Sequence, residues 1–172
     1  SGKLPPIDQR LPDQPFVVGP GTLLDDKYVG WQDGQYGGTI KLAINQPDGF
    51  VNIAGASTIL RSPSQTTAVS LPNVVSAWSH SDDYTTYKFT IRKGLKWSDG
   101  VPVTTDDVRF TFEDLYQTPN VEAYPSELYT QGDPSLPPAK LTIADDLNFS
   151  LTFSKPYGFY VGALNSWIPG YN

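Results

Sequence analysis

Hydrophobic and polar positions alternate most cleanly over Tyr84–Arg92. There Tyr87, Phe89 and Ile91 alternate with Lys88, Thr90 and Arg92. A period of two predicts a strand with one buried and one solvated face. Val75-Ser76-Ala77-Trp78-Ser79 precedes it, across the polar cluster His80-Ser81-Asp82-Asp83, so the two runs read as a β-hairpin. A second hairpin is predicted from Lys140–Ile143 and Asn148–Phe153, joined by Ala144-Asp145-Asp146-Leu147. In its second arm Phe149, Leu151 and Phe153 alternate, and Pro156 ends the run. An earlier strand is expected at Thr39–Ile44, with Ile40, Leu42 and Ile44 on one face, closed by the turn residues Asn45-Gln46-Pro47-Asp48-Gly49.

Helical spacing is rarer. Thr104 is placed to cap a helix, with Asp107 in the capping-box position three residues on. Asp106 and Asp107 suit the positive end of the helix dipole. Val108, Phe112 and Leu115 fall on one face, and Pro119 ends the helix by about Gln117. Val51–Leu60, interrupted by Gly55, reads as a short helix or a strand, with the helix favoured, and Tyr157–Trp167 as an aromatic helix stopped by Pro169. Asn120–Pro138 reads as a polar surface excursion with one helical turn near Ser126. In Ser1–Gly34 the prolines at 5, 6, 12, 15 and 20 argue against any helix. That arm is expected to be extended, with a short edge strand at Phe16-Val17-Val18 and anchors at Tyr28 and Trp31. Strands dominate, with two or three short helices, so the class is α+β.

Composition narrows the function. The chain has 172 residues, a net charge of -6, no Cys, no Met and one His. Without Cys there are no disulfides, thiolate metal sites or Cys nucleophiles. A single His80 rules out multi-histidine zinc motifs. The acidic balance argues against a nucleic-acid partner. No run of about 18 apolar residues is present to span a membrane as a helix. Because Ser1 is not a natural start of translation, a removed targeting segment or a longer parent chain is expected.

The motifs with chemical potential have plainer readings. Trp97-Ser98-Asp99-Gly100 reads as a turn, with Gly supplying a positive φ and Asp bonding its own backbone. Asp82-Asp83, Asp106-Asp107 and Asp145-Asp146 lack the spacing of a calcium loop and read as turns and helix caps. Neighbours on one turn do not converge as nucleophile and base, so His80 among Ser79, Ser81 and Asp82 is not a triad. No carboxylate pair is selected for glycosidase chemistry. Gly37-Gly38 opens no phosphate-binding helix and is expected to let the backbone approach a neighbour closely.

Read in order, the motifs are specific. Pro72-Asn73 and Trp78 lead to Tyr87-Lys88-Phe89-Thr90-Ile91-Arg92-Lys93-Gly94. Lys96-Trp97-Ser98-Asp99-Gly100, Pro102, Thr104, Asp106-Asp107-Val108 and Phe110-Thr111-Phe112 follow. This run strongly resembles the family 5 extracellular solute-binding proteins, the oligopeptide- and dipeptide-binding receptors of bacterial ABC importers. Tyr36-Gly37-Gly38-Thr39-Ile40 is similar to the first core strand of many members. Asp145-Asp146 with Leu151-Thr152-Phe153-Ser154-Lys155-Pro156-Tyr157 is similar to the family's Asp turn, strand and Lys-Pro-Tyr step. Thr105 stands where the family usually has Ala, and no functional consequence is expected.

The resemblance implies the N-terminal part of a longer, three-lobed receptor with a type II periplasmic-binding-protein-like α/β fold. It divides this chain into an arm over 1–35, the first strand and following segment of a ligand-clasping lobe over 36–60, and an accessory lobe over 61–172. It implies an extracytoplasmic, non-enzymatic protein of the periplasm or cell surface, secreted or lipid-tethered upstream of Ser1. No cofactor is implied. The implied partners are a small solute (peptide, oligosaccharide or chelated metal), transporter membrane subunits and the remainder of its own chain. Ile44-Asn45-Gln46 follows the first strand and is a candidate cleft segment, since its amides offer donors and acceptors; a plain polar turn is the other reading. Tyr124, Tyr129 and Trp167 are candidate aromatic platforms, or packing residues. Two other classes stay open: an autonomous accessory module that binds no ligand of its own, and a carbohydrate-active protein.

Overall fold

The computed structural model describes residues 6–17, 19, 32–39, 41, 58–62, 69–115, 130–133 and 135–164. Its centre is a four-stranded antiparallel sheet built from both predicted hairpins. We label Leu60–Arg61 as β1, Leu71–Pro72 as β2, Val75–His80 as β3 and Thr86–Ile91 as β4. Lys140–Ile143 is β5 and Asn148–Thr152 is β6. The order across the sheet is β3-β4-β6-β5, while β1 and β2 form a separate two-stranded ribbon. The two hairpins therefore join through their second arms, with Phe89 opposite Phe149 and Tyr87 opposite Leu151.

This order follows from the alternation. β4 and β6 have the most regular apolar faces, and a central strand needs one more than an edge strand does. Tyr87, Phe89, Ile91, Phe149 and Leu151 are all buried. The outer faces of the same strands carry Lys88, Thr90 and Ser150, exposed or half-buried. A bulge between Val75 and Ala77 shifts the β3 register.

A short helix, Tyr160–Leu164 (α3), closes the buried face with Tyr160, Val161, Ala163 and Leu164. Rings interlock beneath it. Tyr160 lies 5.1 Å from Tyr87 and 4.9 Å from Phe153 in edge-on contacts. Phe89 stacks on Phe149 at 5.2 Å. Such pairs add about 0.5–1.5 kcal/mol each beyond the area they bury. The Tyr87 hydroxyl keeps a partner by donating to the Tyr157 carbonyl at 2.7 Å, and burial pushes its pKa up to about 12.

The capped helix forms as predicted at its start. Thr105–Arg109 (α2) follows Thr104, whose hydroxyl accepts from the Asp106 N–H, while Asp107 Oδ2 accepts from the Thr104 N–H at 2.8 Å. The winding then widens to a π-helix over Phe110–Leu115. Val108 and Phe112 still pack on the core, but the wider turn rotates Leu115 off that stripe and leaves it 36% exposed.

Several expectations need correction. The proline-rich arm does contain a helical turn, Ile7–Arg10 (α1). Pro6 precedes it and supplies its carbonyl to the Gln9 N–H, and there a missing proline N–H costs no bond. Phe16 and Val17 are not in a strand, because Phe16 instead packs its ring against guanidinium groups. Val18, Tyr28 and Trp31 lie outside the described residues. Of the two readings of Val51–Leu60, the favoured helix does not reach its end, where Leu60 opens β1, pairs with Pro72 and is fully buried; 51–57 lie outside the described residues. Of the expected strand Thr39–Ile44, only Thr39 and Lys41 are described. Both are exposed and not in a strand, with no neighbouring strand described beside them to take their hydrogen bonds. Gly37 and Gly38 show no close approach among the described residues, where nothing lies within 4 Å of where a Cβ would stand. Their φ values of +127° and +79° are what require glycine. The predicted second arm of the first hairpin starts late: Tyr84 sits in the turn at φ 56° and β4 begins at Thr86. The aromatic helix begins at Tyr160 rather than Tyr157, since Gly158 and Phe159 form a turn. The helix end near Gln117 and the turn near Ser126 lie outside the described residues.

Candidate functional site

None of the six candidate ligand residues is among those described: Ile44, Asn45, Gln46, Tyr124, Tyr129 and Trp167 all fall outside them. What the structure shows is the frame to which these segments attach. Gln131, at φ 61°, donates through Nε2 to the Lys155 carbonyl at 2.6 Å, and its Oε1 accepts from the Ser154 hydroxyl at 3.3 Å. The Tyr157 N–H donates to the Tyr84 carbonyl at 2.9 Å. Gln131 is thus pinned to the Lys155-Pro156 step. No sequence signal marks Gln131. Its role comes from a contact across the fold.

The recurring motifs prove to be wiring. Asn73 Nδ2 donates to the Thr58 carbonyl at 2.6 Å, and Trp78 Nε1 donates to the Ser70 carbonyl at 3.3 Å. Trp97–Gly100 is a tight turn: the Gly100 N–H donates to the Trp97 carbonyl, the Val101 N–H to Asp99 Oδ1, and Gly100 has φ +94°. Trp97 Nε1 donates to Asp107 Oδ1 at 3.2 Å, which ties that turn to the helix cap. The departure at Thr105 has a structural role. Its side chain is buried and donates to the Asp145 carbonyl at 2.8 Å, while its N–H donates to the Asp146 carbonyl at 2.9 Å. An Ala there would keep only the second bond.

The acidic turns spend carboxylates on neighbouring backbone and hydroxyl groups. Asp83 accepts from Ser81 Oγ, Thr85 N and Thr85 Oγ1, and the Ser81 hydroxyl bond leads the causes that lower its pKa. Asp145 is lowered first by the Leu147 N–H and then by Asn148; Asp133 is lowered first by the Ser135 hydroxyl. Among the described residues no group of three or more His, Cys, Asp or Glu gathers as a metal site. His80 stacks on Tyr84 at 4.4 Å, and its Nδ1 is 2.9 Å from the Ser81 carbonyl. Ser81 Oγ donates to Asp83 rather than to His80, so no nucleophile–base pair forms there. A shallow groove of about 390 Å³ lies over the sheet between β3, β4 and β6. Ser79, Thr90, Asn148 and Ser150 line it, with Lys88 as its one charged group.

The arm is fixed by polar contacts. Lys96 Nζ donates to the Gln9 carbonyl, Arg92 Nη1 donates to the Gln14 carbonyl, and Lys93 pairs with Asp13 at 3.5 Å. Gly94 has φ +83°, and a Cβ there would stand 2.5 Å from the Asp13 nitrogen.

With this frame in place, the motif run can be compared with known proteins. Residues 71–172 match the family described as bacterial extracellular solute-binding proteins, family 5 Middle. The chain belongs to this family. Among its relatives, this family 5 chain is 30% identical over 132 residues to the periplasmic alpha-galactoside-binding protein of Rhizobium meliloti (strain 1021). That match covers 66% of this chain and 18% of the relative. A solved oligopeptide-binding protein OppA superposes with a TM-score of 0.74 at 28% identity, covering 99% of this chain and 24% of that one. The periplasmic binding protein MelB of Agrobacterium fabrum C58, solved with stachyose, superposes with a TM-score of 0.64 at 26% identity, covering 96% and 26%. This family 5 chain therefore spans about a fifth of the curated relative and about a quarter of each solved structure.

Proposed function

We propose that this chain is part of an extracytoplasmic receptor that captures an oligopeptide and hands it to an ABC importer. The observation that carries this reading is the superposition of 99% of the chain on an oligopeptide-binding protein with a TM-score of 0.74. In this reading 61–172 form the accessory lobe, with Leu60 buried in the same core, 36–60 open a ligand-clasping lobe, and 1–35 form the arm. Ile44, Asn45 and Gln46 contact the ligand backbone through their amides, and Tyr124, Tyr129 and Trp167 supply flat apolar surface. The receptor does no bond chemistry. It closes by hinge motion around the solute, and the transporter's membrane subunits recognise the closed form. A lipid anchor upstream of Ser1 keeps it at the membrane.

An oligosaccharide ligand is the second reading, supported by the alpha-galactoside-binding relative and by the stachyose-bound structure. Calorimetry on the full-length receptor with a peptide library and with raffinose-type sugars tests the two. Micromolar binding of peptides alone supports the first reading, binding of sugars alone supports the second, and binding of neither overturns both. The chain by itself is expected to bind neither at micromolar concentration.

A further inference from the structure

We propose that Arg61, Arg92 and Phe16 form an oxyanion-binding site between the arm and the β1–β4 end of the sheet. The Arg61 guanidinium carbon lies 4.4 Å from the centre of the Phe16 ring, and that of Arg92 lies 5.7 Å from the same centre. Two positive charges thus contact one neutral ring. Neither pairs with a carboxylate among the described residues, where the ion pairs are Lys93–Asp13 and Arg109–Asp106. Arg92 is 9% exposed and spends Nε and Nη1 on neutral carbonyls, those of Asn73 and Gln14. These bonds position the group but leave its charge uncompensated. Arg61 is half-buried, and its Nε is buried with no hydrogen-bond partner.

A buried guanidinium donor without a partner is costly. Burial accordingly pulls the Arg61 pKa down. An oxyanion relieves that penalty. The ring holds one face of the guanidinium, which leaves its in-plane donors for a bidentate contact. The surroundings favour the same ligand. Among the described residues Arg61, Arg92, Lys93 and Lys96 all reach the arm, whose carboxylates are Asp8 and Asp13, with Lys93 paired to Asp13, although the whole chain carries a net charge of -6. A local positive field in an acidic protein concentrates anions at that point. The ligand class is a carboxylate or a phosphate group, and the site is independent of which solute the receptor transports.

The test follows the Arg61 and Arg92 Nε–H resonances of the chain by NMR during titration with acetate and, separately, with inorganic phosphate. Sodium chloride holds the ionic strength constant. The proposal expects a saturable shift at both resonances with at least one anion, and a parallel rise in Tm. A response to acetate alone assigns a carboxylate ligand, and a response to phosphate alone assigns a phosphate ligand. Arg61→Gln is expected to weaken binding about tenfold or more, followed through Arg92. Phe16→Leu, which keeps the apolar bulk but removes the ring, is expected to weaken it less. The surface control Lys140→Gln should leave it unchanged. No saturable shift with either anion overturns the proposal, as does an unchanged affinity in a folded Arg61→Gln variant. If Arg61→Gln does not fold, the wild-type titration and Phe16→Leu still decide.

Discussion

The central strands β4 and β6 and the arm over 6–17 are held by opposite means. Between the strands, Tyr87, Phe89, Phe149 and Leu151 bury apolar surface, and the strands exchange backbone hydrogen bonds along their length. The arm is fixed by cations that reach carbonyls, by an exposed ion pair and by a phenyl ring beneath two guanidiniums. Apolar burial scales with the area removed from water and involves no charge to titrate or screen. Contacts between exposed charges are weak singly and screened by salt. One region sets global stability, and the other sets where a peripheral segment rests.

That contrast makes graded predictions. Leu151→Ala, which opens a cavity among the buried rings, should have the largest effect, a loss of about 2–5 kcal/mol in urea unfolding. A loss below about 1 kcal/mol would mean the sheet is not the cohesive region. Gly94→Ala should come next, at about 1–3 kcal/mol, because it combines a left-handed φ with a clash against Asp13. If the arm is only loosely held, it will swing aside, and faster amide exchange at the arm will appear with little change in the global midpoint. Thr104→Ala removes the cap of α2 and should cost about 1 kcal/mol by thermal unfolding.

The smallest effect concerns pH. Asp83, Asp133 and Asp145 have pKa values lowered in the folded protein by their turn hydrogen bonds. Their contribution is therefore present above the ordinary carboxylate range and is lost as pH falls through that range and into the lowered folded values. Urea midpoints should decline from about pH 5 downward, and the triple Asp→Asn variant should show a flatter decline. An equal decline in the variant would place the acid sensitivity elsewhere.

Much of the sheet was legible because a period of two is a local signal. Tyr87-Lys88-Phe89-Thr90-Ile91 carries its own orientation, and so does Phe149–Phe153. The cap at Thr104 was legible for the same reason, since its partner Asp107 is three residues away. What escaped is nonlocal. Arg92 meets Gln14 from 78 positions away, and Gln131 meets Lys155 from 24. No spacing rule reaches across such gaps. The widening to a π-helix at Phe110 also left no mark, because Val108, Phe112 and Leu115 fit an ordinary helical stripe. Of the candidate site, Asn45 and Gln46 are legible only by chemical type and by resemblance, and neither of these carries geometry.

The strand order has a consequence for biosynthesis. β4 lies between β3 and β6, and Thr90 meets its cross-strand partner Asn148 only 58 residues later. On the ribosome, at about 5–20 residues per second, the first hairpin emerges and waits several seconds with one edge bare. That edge borders Tyr87 and Phe89, an adhesive pair for any other nascent strand. A holding chaperone would find its clearest target there, in the interval before β6 arrives.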